Sequence, residues 1–167
     1  MKTSVQKTVF ASLLAALVCV ATMIIKLPSP LGGYINLVDC VVLLSGWMLT
    51  PFYGFLAAGI GSLLADIFSG FILYAPITFL TKGLMAICAH FVFKLTEKRM
   101  GNFPSRILSG TFSEIIMISS YYIFEGFLYG FIPALSNMPA NIIQGVFGLI
   151  LGIILIKIFE KHIIHQL

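Results

Sequence analysis

Across residues 37–95 the chain is almost unbroken apolar sequence. Before Lys94, three residues that normally carry charge interrupt it: Asp39, Asp66 and Lys82. A charge placed at membrane depth is costly, so it is usually paired, faces a cavity and serves a function. The whole chain shares this character. Its 167 residues are 59% hydrophobic and 10% charged, with a mean hydropathy of +1.06. A soluble domain carries about 25% charged residues. Lipid is therefore the expected solvent, and the uniform composition reads as a single membrane domain over 1–167.

Spanning helices need about 20 apolar residues. Pro/Gly-rich and polar breaks divide the chain into six of them, over about 7–25, 35–50, 51–69, 74–95, 106–131 and 139–159. Pro51 suits the first turn of the third, where its missing N–H costs nothing. Residues 96–105 read as a polar loop. The N-terminal run resembles a signal peptide, but further apolar segments follow it, so it is read as a first span.

With six spans, Lys2, Lys7, Lys94, Lys98, Arg99, Arg106, Lys157 and Lys161 all fall on one side, and Lys26 falls on the other. Cytoplasmic loops carry the Lys/Arg excess. The expected fold is thus an all-α integral membrane protein, a six-helix bundle with both termini cytoplasmic. Five spans would scatter the basic residues over both faces. The formal charge of +4 is a topology signal with some attraction to anionic lipid, and nucleic acid is not expected as a partner.

Residues three or four apart share a helix face. Tyr74, Thr78 and Lys82 form one line. Gly54, Ala58, Ser62 and Asp66 form a second, and Asn137, Asn141, Gln144, Gly148 and Gly152 a third. Glu114, Tyr121 and Glu125 come close to one face of the fifth span, with Tyr122 and Tyr129 beside it. Apolar Ile118 interrupts that face, so Glu114 is a candidate for a separate site. The outer halves of these lines are polar and the inner halves small. Small residues let helices approach closely, and converging polar groups make a binding cavity. The expected result is a bundle closed at its cytoplasmic end, with a ligand pocket in its outer half.

Within the spans stand four acids (Asp39, Asp66, Glu114, Glu125) and one base, Lys82. Lys82 can pair with Asp66 or Asp39, which leaves Glu125 among tyrosines at the outer mouth. A spare carboxylate there suits a ligand with a protonated nitrogen or several donors and disfavours a carboxylate ligand. Nothing points to an enzyme. There is no Ser–His–Asp set, no phosphate-binding glycine loop and no metal cluster. His90, His162 and His165 read as non-catalytic, and Cys19, Cys40 and Cys88 as apolar packing residues. No cofactor is expected.

The segments Gly33-Tyr-Ile-Asn-Leu-Val-Asp39, Gly54-Phe-Leu-Ala-Ala-Gly-Ile-Gly-Ser-Leu-Leu-Ala-Asp66, Tyr74-Ala-Pro-Ile-Thr-Phe-Leu-Thr-Lys-Gly83 and Pro139-Ala-Asn-Ile-Ile-Gln-Gly145 resemble those of substrate-binding (S) components of energy-coupling factor (ECF) vitamin transporters, over nearly the whole chain. The resemblance implies a six-helix protein of a prokaryotic plasma membrane that captures a vitamin or precursor from outside. Its implied partners are a transmembrane coupling subunit and two cytoplasmic ATPases. ATP-driven toppling in the membrane would carry the ligand inward. Ala11 and Ala15 match the family's Ala-x-x-x-Ala docking motif for the coupling subunit.

The Tyr122-Ile-Phe-Glu125 segment followed by Tyr129-Gly looks like members for pyridoxine or hydroxymethylpyrimidine-type ligands. The wider motif set is shared with riboflavin-type members. A thiamine binder's Trp-rich cavity is missing, since Trp47 is the single tryptophan. The expected ligand contacts are Asn36, Tyr74, Thr78, Tyr121, Glu125, Asn141 and Gln144. Asp39, Asp66 and Lys82 are expected as a charge frame that positions helices and loop. A stand-alone small permease and a structural membrane subunit without ligand are the rival readings.

Overall fold

The computed structural model describes residues 4–29, 31 and 34–162. Lys2, Gly33 and His165 lie outside these residues. The elements run α1 (Ser4–Ile24), β1 (Leu27–Pro28), β2 (Tyr34–Ile35), α2 (Asp39–Met48), α3 (Pro51–Phe68), α4 (Ala75–Met100), α5 (Asn102–Tyr129), α6 (Phe131–Ala134) and α7 (Met138–His162). Helices α1, α3, α4 and α5, together with the 131–161 stretch, are long and apolar enough to cross a membrane.

The element expected over 35–50 is shorter than its apolar run. Tyr34 and Ile35 pair with Leu27 and Pro28 in a small antiparallel hairpin. The Asn36 side chain then accepts from the Val38 N–H at 3.0 Å. Helix begins only at Asp39, and Leu49 is already extended. Ten residues rise about 15 Å, half of a hydrocarbon core of about 30 Å. Nine of the ten are buried, so α2 is the inner strut of the bundle. Helices α1, α3, α4, α5 and α7 form an arc around it in which each packs on the next, and α2 touches α3, α4 and α7.

The polar loop expected over 96–105 is also absent. Helix α4 continues to Met100, and α5 starts at Asn102. The polarity of Thr96–Arg99 marks the helix leaving an apolar environment, not the end of the helix; Glu, Lys and Arg are good helix formers. The reversal rests on Gly101, whose φ of 80° suits a residue without a Cβ. Pro51 opens α3 as its spacing predicts.

Two buried clusters form the interior. One is built on Leu14, Val18, Val38, Val42, Ala58, Met85 and Met117. The other, built on Leu43, Leu44, Trp47, Ala89, Phe93 and Ile156, fills the end away from the hairpin. There Arg106 forms a two-pronged ion pair with Glu160 and lies 5.2 Å from the Phe93 ring centroid. The outer surface carries exposed Val9, Leu13, Phe91, Ile115, Ile143, Phe147 and Ile154, as lipid contact requires.

Candidate functional site

The hairpin end of the bundle holds a narrow pocket with a cavity volume of about 40 Å³. Six parts of the chain supply its walls. They are the end of α1, the hairpin segment through Val38, the last turns of α3, the start of α4, the second half of α5 and the start of α7 with the residues just before it.

Asn36, Tyr74, Thr78, Tyr121, Glu125, Asn141 and Gln144 all line it. Those on the helices sit where the helical period places them, while Asn36 lies between β2 and α2. Thr78 follows Tyr74 by one turn on α4, and Gln144 follows Asn141 on α7. Tyr121 donates to Thr78 Oγ1 at 3.3 Å, which ties α5 to α4. Glu125 Oε1 accepts from Asn137 Nδ2 at 2.7 Å and from the Tyr74 hydroxyl at 3.4 Å. Its Oε2 finds no hydrogen-bonding partner among the described residues.

The charge frame divides into two parts. Lys82 makes its ion pair with Asp39, and both are essentially inaccessible, at 1% and 0% exposure. Lys82 also faces the Tyr121 ring at 5.7 Å. Gln144 donates to Asp39 Oδ2 at 2.7 Å, and its Oε1 accepts from the Asn36 backbone N–H at 2.9 Å. One amide therefore joins the ion pair, α7 and the segment entering α2.

Asp66 takes no part in the pair with Lys82. Its Oδ1 accepts from the Tyr34 hydroxyl, while Oδ2 is buried without a hydrogen-bonding partner among the described residues, like Ser62 Oγ. Burial and the Asp66 carboxylate raise the Tyr34 phenol above its ordinary range, so Tyr34 stays a donor. It pins the hairpin over the pocket, helped by its contact with the Phe71 ring at 4.6 Å. Across the mouth, the Leu31 N–H reaches Asn137 Oδ1 at 3.4 Å.

Tyr34, Thr22 and Phe71 also line the pocket and are missed by sequence reasoning. Thr22 is a polar residue in the last turn of a mostly apolar helix, and its hydroxyl is turned back onto the Val18 carbonyl at 2.7 Å. Tyr34 is quoted in the resemblance above, but no periodicity marks a two-residue strand. Its signal is the apolar hydroxyl-bearing ring between a turn and Asn36.

The family model described as "ECF-type riboflavin transporter, S component" matches residues 2–161. The chain belongs to the S-component family of ECF-type transporters. A Pyrococcus woesei protein described as an uncharacterized protein in the gap 3′ region is 34% identical over 148 residues, covering 87% of this chain and 96% of that one. The fold is also similar to a solved S component of a bacterial ECF transporter, with a TM-score of 0.74, 24% identity and coverage of 95% of this chain and 98% of the other. The S component is thus a multi-pass membrane protein, a substrate-binding subunit of a transporter and not an enzyme.

The S component's second concavity runs along α1 and α3, lined by Ala11, Ser12, Ala15, Ala16, Ala57 and Ile60 among others. Ala11 is buried against the core and Ala15 is half-buried, whereas Ser12 and Ala16 are exposed. The Ala11–Ala15 pair therefore forms the groove's floor, and its neighbours form the accessible surface. Glu114 lies outside the pocket and meets Asp39 and α7 from below.

Proposed function

We propose that the S component captures a vitamin from outside the cell in the hairpin-end pocket and delivers it through an ECF module of a coupling subunit and two ATPases. In this reading five long segments span the membrane, the short α2 with its flanking residues makes the sixth passage inside the bundle, both termini are cytoplasmic, and the hairpin faces outward. The α1–α3 groove meets the coupling subunit. The observation that carries the reading is a pocket walled by converging polar side chains within a family of substrate-binding subunits.

Riboflavin is the first ligand to test, because the matching family model is described by it. A smaller nitrogen heterocycle of the pyridoxine or hydroxymethylpyrimidine type is the second. The free oxygens of Glu125 and Asp66 support both, since they call for ligand donors, and Lys82 is already committed to Asp39. Both readings disfavour an anionic ligand.

Mass spectrometry of the small molecule that co-purifies in mild detergent identifies the ligand directly. Glu125→Gln is expected to weaken binding of that molecule about tenfold or more, measured by equilibrium titration. Unchanged affinity would remove Glu125 from the site. Absence of any co-purified molecule, together with no thermal shift from either vitamin class, would favour a structural subunit. Uptake by the chain alone in proteoliposomes without ATP would favour a stand-alone permease.

A further inference from the structure

Glu114 is a buried carboxyl that the pocket does not use. It stands in α5, is 5% exposed, and neither oxygen has a hydrogen-bonding partner among the described residues. It presses against the backbone of α7. A Cβ on Gly145 would lie 3.1 Å from Glu114 Oε2, and one on Gly148 would lie 3.3 Å from Oε1 and 2.6 Å from the Asp39 Cβ. The two acids thus share one glycine of α7.

The charges facing this point do not balance. From α2 come Asp39 and the Cys40 thiol, and from α4 comes Lys82. Helix α7 presents glycine backbone. Lys82 is bound to Asp39, and Asp39's other oxygen is held by Gln144. Two carboxylates therefore compete for one ammonium. A buried carboxylate without donors, beside an ammonium already bound to another carboxylate, is far costlier than the neutral acid.

We propose that Glu114 is a proton-binding site, occupied in the packed bundle and linked to ligand affinity through Asp39 and Gln144. Losing the proton to solvent leaves a carboxylate beside Asp39. That second negative charge draws on Lys82, loosens the Asp39–Gln144 contact and with it the Asn36 segment at the base of the pocket. Affinity and stability are both highest with the proton bound and fall as pH rises through its loss. The affinity half rests on the ligand reading above; the proton site itself does not.

The test uses the purified full-length S component in mild detergent, with Glu114→Gln and Glu114→Met beside it. In infrared difference spectra at neutral pH, wild type shows a protonated-carboxyl C=O band that both variants lack. Between about pH 6 and about pH 9, the wild-type unfolding midpoint falls, and the variants fall clearly less. Riboflavin, as the probe, binds wild type about threefold or more weakly at the upper pH, with the variants flat. Lack of riboflavin binding at either pH counts against the ligand reading and leaves the first two readouts to decide the proton site. Identical spectra or identical pH dependence in all three proteins overturns the proposal. So does a midpoint that follows sodium concentration at fixed pH. Failure of both variants to fold also overturns it, because a neutral, unbonded acid is replaceable by an apolar side chain of its size.

Discussion

Among the described residues Lys82 is the longest fully buried side chain of the S component, and its ammonium has one carboxylate partner, Asp39. Removing one member of such a pair strands the other in a low-dielectric interior, at about 3–5 kcal/mol. Lys82→Met is therefore expected to lower stability by about that much in detergent unfolding. The double variant Asp39→Asn/Lys82→Met should recover most of the loss. A double variant as unstable as the single one would show that the pair is not the source. The sequence supplies both candidate partners of Lys82, Asp39 and Asp66. The choice between them depends on Tyr34, whose hydroxyl occupies Asp66 from a hairpin that no hydrophobic period announces. Gln144 is legible as a polar residue of a helical stripe. That it bridges Asp39 to the Asn36 backbone follows from contacts more than 100 residues apart, which no local pattern encodes.

At the scale of elements, close approach of α1 and α3 sets the groove. A Cβ on Gly61 would collide with the Ala15 carbonyl and lie 2.7 Å from the Val18 Cβ. Backbone cannot give way as a flexible side chain does, so Gly61→Val should force the helices apart and destabilise the S component by about 1–3 kcal/mol, read as a lower unfolding midpoint. The groove itself is probed from its exposed side. Ala16→Trp fills it without entering the core, and is expected to abolish assembly with the coupling subunit in pull-down while ligand affinity stays unchanged. Loss of both would count against a docking role. Ala11 is a poor probe for this purpose, because its side chain faces the core. Small residues at i and i+4 signal close packing, but which neighbour they pack against is decided by the turn of the helix in the bundle.

For the whole molecule, the proposed orientation rests on the distribution of basic residues. Lys94, Lys98, Arg99 and Arg106 flank the Gly101 turn, and Lys157 and Lys161 lie near the end of α7. The Arg106–Glu160 pair joins α5 to α7 at this same end. With the native cysteines replaced, a single cysteine at Ser136 is expected to react with an impermeant thiol reagent on intact cells, and one at Asn102 only after permeabilisation. The reverse pattern would invert the orientation and place the pocket on the cytoplasmic side.

The sequence by itself determined the solvent, the helical class, the polar stripes and the family. Each is a property of composition or of short-range period, and lipid forces backbone polar groups into helices wherever apolar runs are long enough. The tertiary structure alone decided that α2 is a ten-residue strut inside an arc of longer helices. It also decided that α4 and α5 meet at one glycine, that Lys82 belongs to Asp39, and that Glu114 shares Gly148 with it. The physical reason is common to all four. Charge pairing, helix length and close approach depend on which surfaces face each other in three dimensions, and a one-dimensional pattern fixes only which face of each helix is available.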